Sequence, residues 1–248
     1  MVESTVCFEE KCYEERVREP NLVVHELSVD LSGIRKIVDK QKTKFFTKLG
    51  FLKPKREDID CESVSLYYEP FPIVNARYRV DYYRRNIYAV RVDDNVKEVI
   101  IFDRKLDPEN PKRVKHLLKR YHREIKLPAE DRIIHEATAH VAQDRTGREI
   151  DPSKLPSAPA LKEPEKALEE YGEKVRKFMV SPDRLIDIIR ERIVRKPSET
   201  ERIVEEVFEV SENTVTYTPV YEARCRYLKT GEIKIIPISG VTRKPFFP

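Results

Sequence analysis

Apolar and polar positions along the chain switch repeatedly between the period of a strand and that of a helix. Residues 22–30 alternate: Val23, His25, Leu27 and Val29 fall on one side and Val24, Glu26, Ser28 and Asp30 on the other, which predicts a half-buried strand. Next, Ile34, Ile37, Val38, Phe45 and Leu49 recur at helical spacing, with Ser32 placed to cap the start and Gly50 to end it. After Lys53-Pro54 the period returns to two. Strands are expected over Cys61 to Tyr68, stopped by Glu69-Pro70, then over Ile73 to Tyr83 and Ile87 to Val92. A turn at Asp93-Asp94-Asn95 and a fourth strand from Val96 to Phe102 follow.

Similar signals recur late in the chain. Ser181-Pro182-Asp183 opens a helix whose inward stripe is Leu185, Ile189 and Ile193. Lys196-Pro197 and a polar stretch lead to a strand over 202–210. Tyr217-Thr218-Pro219 answers Tyr68-Glu69-Pro70, and Arg226-Tyr227 answers Arg77-Tyr78 at the same distance from those prolines. A hairpin turn at Lys229-Thr230-Gly231-Glu232 and a strand from Ile233 to Ile238 complete the series. The shared order predicts an α+β protein made of two related helix-plus-antiparallel-sheet units, 1–106 with an N-terminal extension and 181–248. Between them, 107–180 is expected to be a helical connector. In it 111–126 forms an amphipathic helix on Val114, Leu117, Leu118, Tyr121 and Ile125, and 130–143 forms a second helix. Four prolines at 152, 156, 159 and 164 make a linker or extended stretch, and a helix runs from Glu165 to Met179.

Composition changes this picture in three ways. First, 37% of the 248 residues are charged, Asn and Gln together number eight and Trp is absent, the balance found in heat-adapted proteins. Second, no run of 18 apolar residues exists, which excludes a membrane-crossing helix, and the acidic opening MVESTVCFEEKCYEE lacks the basic start and apolar run of a secretory leader. A cytoplasmic location is expected. Third, the net charge of +4 is unevenly spread: residues 35–56 carry nine Lys or Arg against Asp39 alone, and 112–126 carry seven against Glu124.

Candidate chemistry is sparse. With six glycines and no Gly-rich loop, the chain has no phosphate-cradling motif, and no cofactor is expected. His135-Glu136-Ala137-Thr138-Ala139-His140 superficially resembles the zinc metalloprotease motif. That motif needs histidines four apart on one helical face, whereas these are five apart. Cys7 and Cys12 have the spacing of half a zinc site, to be completed by Cys61, Cys225 or a histidine such as His25, or of a short disulfide. Buried or free thiols are the plainer reading. Cys61 and Cys225 are expected in strand interiors, with Arg224 and Arg226 on the face opposite Cys225. His25 reads as a hydrogen-bonded core residue.

The basic segments remain. Lys40, Lys42, Lys44 and Lys48 precede Phe51, Lys53, Lys55 and Arg56. Tyr83, Arg84 and Arg85 stand at an expected hairpin tip. Arg113, Lys119 and Arg120 lie on the basic face of the expected 111–126 helix. Cations interleaved with aromatics suit sequence-tolerant contact with DNA or RNA backbones, with salt-sensitive affinity. The plainer reading packs Phe45 and Phe46 inside and leaves the lysines solvated. The expectation is therefore a non-enzymatic nucleic-acid-binding protein. The alternatives are a protein-interaction or scaffold subunit, which would leave an apolar patch or a sheet edge uncovered, and an enzyme, which would show a deep pocket with a desolvated carboxylate or histidine. Oligomeric state is not legible.

Overall fold

In a computed structural model, residues 2–8, 11–47, 54–109, 123–195 and 197–246 are described, of which 2–8, 11 and 12 are described by backbone alone. Strands hold 52% of the residues and helices 20%. In chain order the described strands are β1 (Val2–Phe8), β2 (Lys11–Val17), β3 (Asn21–Val24), β4 (Ile59–Val92), β5 (Val99–Ile101), β6 (Arg104–Leu106), β7 (Arg123–Gln143), β8 (Glu149–Ile150), β9 (Thr200–Tyr227) and β10 (Ile233–Ser239). The α-helices are α1 (Leu31–Phe45), α2 (Pro164–Tyr171) and α3 (Asp183–Ile193). Eight strands form one mixed sheet in the order β1-β2-β9-β4-β7-β8, with β3 and β10 also on β9, and β5 and β6 form a separate hairpin.

Two very long strands organise the molecule. β4 and β9 run antiparallel from Ile59↔Tyr227 to Arg84↔Thr200, and irregularities near Cys61, Asn75, Asp81 and Tyr83 bend the ladder. On its far edge β4 pairs with β7 from Ile73↔Ala142 to Val92↔Arg123. The far edge of β9 is filled in turn by β2 and β3, both parallel, and by antiparallel β10.

This overturns the expected pair of α+β units. Tyr68-Glu69-Pro70 and Tyr217-Thr218-Pro219 do not end strands in separate repeats. They lie opposite each other in one ladder, Tyr68 against Pro219 and Pro70 against Tyr217. A proline at a strand bend costs a ladder bond only where its nitrogen would have donated, so neither proline breaks its strand. The helices expected around 111–126 and 130–143 are corrected as well. Residues 110–122 lie outside the described residues, and 123–143 is a single strand. Ile133, Ala137, Ala139 and Val141 alternate onto the core face of β7. The alanines there favour helix on their own, and the ladder with β4 outweighs that preference. The helix expected from Glu165 to Met179 ends at Tyr171. The strand expected over 22–30 stops at Val24, which is itself the buried residue in place of Val23.

Three clusters form the core. α3 lays Leu185, Ile186, Ile189 and Ile193 on Val74, Ala76, Tyr78, Val80, Phe208 and Val210. α1 lays Ile34 and Val38, with Phe46 just beyond it, on Ile59, Tyr221, Ala223, Cys225, Ile236 and Ile238. Opposite Val74, on the other face, Phe71, Ala142, Ile150, Val220 and Phe246 meet. The α1 cap is Asp30, not Ser32: its carboxylate accepts from the Gly33 amide at 2.9 Å, and the Ser32 hydroxyl donates to it. The proline-bearing segment packs as an extended run. The Glu26 amide donates to the Pro159 carbonyl, and the Leu161 amide to that of Val24. No helix among the described residues is long and apolar enough to cross a membrane.

Candidate functional site: a two-stranded arm

β9 leaves β4 at Arg84↔Thr200, yet β4 and β7 continue together for eight more residues of β4. Residues 85–92 and 123–130 therefore form a two-stranded arm. Ile87 pairs with Pro128, which has no N–H to give, so the Ile87 N–H and C=O point away from β7. The Ile87 amide accordingly finds only its neighbour's side chain, Asn86 Oδ1, at 2.9 Å. By alternation the backbone groups of Arg85, Ala89 and Arg91 share that outward direction. Among the described residues no strand pairs with this edge.

The arm's surface is apolar where a surface is usually polar. Ile87 is 64% exposed, and Tyr88 and Val90 are exposed on the opposite face. Asp131 braces the base of the arm, accepting from Asn86 Nδ2 at 2.8 Å and from the Tyr88 hydroxyl at 2.6 Å. These bonds hold its carboxyl below the usual carboxylate range, Tyr88 contributing most. At the tip, Arg123 reaches the carbonyls of Val96 and Pro108 and pins the excursion that carries β5 and β6. Its two-residue turn is Phe102-Asp103, with φ of +49° and +61°. Such turns favour Asn or Gly, because a Cβ is strained in the left-handed region. Here a phenylalanine sits there at 95% exposure, beside exposed Ile100.

The basic residues singled out from the sequence do not converge. Lys40 and Lys44 are exposed on α1. Lys42 is buried, donating to the Ile59 carbonyl at 2.7 Å and meeting Asp39 at 2.9 Å. Arg56 also faces Asp39, at 3.6 Å, and Lys55 faces Glu57, at 3.6 Å. Arg84 meets Asp131 and Arg85 meets Glu201, while Tyr83 lies under the guanidinium of Arg202. These last three stand at the far end of the β4–β9 ladder from α1. Lys48, Phe51, Lys53, Arg113, Lys119 and Arg120 lie outside the described residues. His135 and His140 both belong to β7, where residues five apart point to opposite faces, so they share no metal. Among the described residues no group of three metal-ligating side chains forms.

Sequence reasoning missed a second feature. A cavity of about 350 Å³ lies between the turn after β7 and the sheet, lined by Glu69, Arg145, Arg148, Arg176, Glu222 and Phe246 among others. Glu69 meets Arg145 at 3.1 Å and Arg176 at 3.0 Å, and Arg176 also meets Glu222 at 2.7 Å and lies over the Tyr67 ring. Burial pushes the Glu69 carboxyl up, against the pull of both arginines. Both sheet carboxylates are already held by guanidinium groups, and the lining contains no histidine, cysteine or serine to act beside them. Glu69 and Arg176 are 107 residues apart in sequence and the other pairs are also far apart, so no local pattern announces them. The Phe102 turn was missed as well: the strand expected over Val96 to Phe102 is only Val99–Ile101, and Phe102 opens the turn to β6.

No family model matches the chain, and no curated protein and no solved structure matches it.

Proposed function

We propose that this is a protein-interaction subunit that takes up an extended segment of a partner protein along the 85–92 edge of β4. The observation that carries the reading is that edge: outward backbone groups flanked by exposed Ile87 on one face and Tyr88 and Val90 on the other. Strand addition draws affinity from main-chain hydrogen bonds and selectivity from alternate side chains. The fitting segment alternates apolar residues and carries a carboxylate to meet Arg91, which is exposed on the same edge. Phe102 and Ile100 offer a second apolar contact at the tip.

The test is selection of random displayed peptides on the immobilised protein, followed by binding of the selected peptides to Ala89→Pro. That substitution removes an outward N–H and leaves the β7 ladder intact. Selected peptides are expected to alternate apolar residues and to lose at least about tenfold in affinity for the variant, the equivalent of one or two lost hydrogen bonds. Equal affinity for both proteins defeats the reading.

A second reading keeps nucleic acid as the ligand. The observation favouring it is the exposed stripe of Lys36, Lys40 and Lys44 at four-residue spacing on α1. It requires binding to DNA or RNA that weakens steeply between roughly 50 and 200 mM salt and is lost when the three lysines become glutamates.

A further inference from the structure

The chain has four cysteines, and the fold sets each opposite another across an antiparallel strand pair: Cys7 against Cys12 in β1–β2, and Cys61 against Cys225 in β4–β9. Position alone makes the second pair notable, since its members are distant in sequence and meet only through the central ladder. Both side chains turn to the face that carries α1 and pack with Ile34, Val38 and Tyr221. Cys225 is fully buried and faces Cys61 across the ladder. Cys61 is half-buried, and its thiol donates to the Ser63 carbonyl at 3.9 Å. Directly opposed residues of an antiparallel pair stand about 4.5–5.5 Å apart at Cα, within the roughly 4.4–6.8 Å that a disulfide spans. No third sulfur, imidazole or carboxylate joins the two thiols as a metal-ligand set among the described residues.

We propose that Cys61 and Cys225 are a cross-strand dithiol that closes to a disulfide by exchange with a low-molecular-weight disulfide, fastening β4 to β9 beneath α1. Cys61 reacts first because an external reagent reaches it. Its thiolate attacks one sulfur of the small disulfide, forms a mixed disulfide and expels a small thiolate. The Cys225 sulfur then attacks the Cys61 sulfur. The Cys61–Cys225 bond forms, the mixed disulfide breaks and a second small thiolate leaves. The two protons of the protein thiols end on the two small thiols, and the two electrons lost by the protein reduce the reagent. The second step is the slow one. Burial pushes the Cys225 thiol up to about 12, against which the nearby Lys42 ammonium is the favourable charge. The closed form ties together residues far apart in sequence, so it raises thermal stability mainly by restricting the unfolded chain.

The test incubates the full chain with graded ratios of oxidised to reduced glutathione, quenches with acid and maps tryptic peptides by mass. A Cys7→Ser/Cys12→Ser variant is run in parallel. The expected result is a peptide pair joined through Cys61 and Cys225, a loss of about 2 Da from the intact chain through that bond, and a thermal midpoint several degrees higher than in the reduced protein. Cys225→Ala is expected to stop at a glutathione adduct on Cys61. If the double serine variant fails to fold, the wild-type map still decides, because trypsin cleaves at Arg16, Arg18 and Arg35, between Cys12 and Cys61, and so places the two pairs on different peptides. Two free thiols at the most oxidising ratio, or a wild-type protein that stops at the Cys61 adduct, overturns the proposal.

Discussion

Lys42, His25, Glu206 and Thr218 lie inside the sheet's packed centre, whereas Ile87, Tyr88, Val90, Ile100 and Phe102 lie on the surface of the arm. The two regions invert the usual distribution of polarity. In the centre each of the four polar side chains is matched. Lys42 caps the Ile59 carbonyl, His25 Nδ1 sits 3.1 Å from the Thr218 hydroxyl, and the Tyr78 hydroxyl donates to Glu206 at 3.0 Å. In the arm Ile125 is buried, but Ile87, Tyr88 and Val90 are exposed and the backbone edge has no partner strand among the described residues. Buried polar groups with partners are fully explained by the chain's own fold. Exposed apolar groups on a two-stranded ribbon, an element of marginal stability by itself, are not, and they point outward to what the arm meets.

The sharpest way to break this contrast is to cut back one side chain in each region. Tyr78→Ala empties the middle of the α3 cluster and orphans Glu206, so it is expected to destabilise by about 3–5 kcal/mol. Ile87→Ser on the arm is expected to stay within about 0.5 kcal/mol. Urea denaturation of both variants measures the difference. Comparable losses would mean that the arm is part of the core. Next in size is Lys42→Met, which keeps most of the apolar stem but leaves the buried Ile59 carbonyl unpaired. A loss of about 1–3 kcal/mol is expected, and an unchanged midpoint would show that the ammonium is dispensable there.

Lys42 also shows what was legible in the sequence and what was not. Helical spacing correctly marked Ile34 and Val38 as inward, and Lys42 occupies the next turn of that same stripe. Charge alone placed it outside. The Ile59 carbonyl, supplied by another element, together with Asp39 one turn earlier on α1, makes its burial tolerable. The inward stripe of α3, the turn at Asp93-Asp94-Asn95 and the hairpin at Gly231 were equally readable, because each rests on local chemistry. The joining of Cys61–Tyr68, Ile73–Tyr83 and Ile87–Val92 into one strand was not readable. Whether Glu69-Pro70 ends a strand depends on which edge its nitrogen faces, and that is set by β9, more than a hundred residues away. The arm was hidden for the same reason. Its free edge exists because β9 turns away at Thr200, and nothing within 85–92 records that.

A smaller effect sharpens the arm's side of the contrast. Phe102→Asn relieves the left-handed strain at the turn, and a gain of about 1 kcal/mol is expected in the β5–β6 hairpin. Because that hairpin is local, the gain is read as slower amide exchange at Ile101 and Arg104 more reliably than as a global midpoint. Strain kept at a site that serves no internal contact is the pattern of a functional residue. The same variant should therefore bind the selected peptides no better, and an anchoring Phe102 makes it bind them worse. Faster exchange in the variant would show that the phenylalanine stabilises its own turn.

The smallest expected effect tests the centre through pH. Burial holds the His25 imidazole below its ordinary value of 6.5. In the unfolded chain the ring protonates as pH falls through 6.5, while in the folded chain it does so only at lower pH. Between those two values the unfolded state carries the extra proton, so folding stability rises with pH across that window and levels off above 6.5. His25→Gln cannot protonate but still presents an amide toward Thr218, and is expected to flatten this slope. Denaturation midpoints at intervals from pH 5 to 7.5 decide the matter. A wild-type slope that survives in the variant would assign the protons to another group. A slope of the opposite sign would mean that the folded protein favours a charged His25, so that a partner stabilising the cation outweighs burial there.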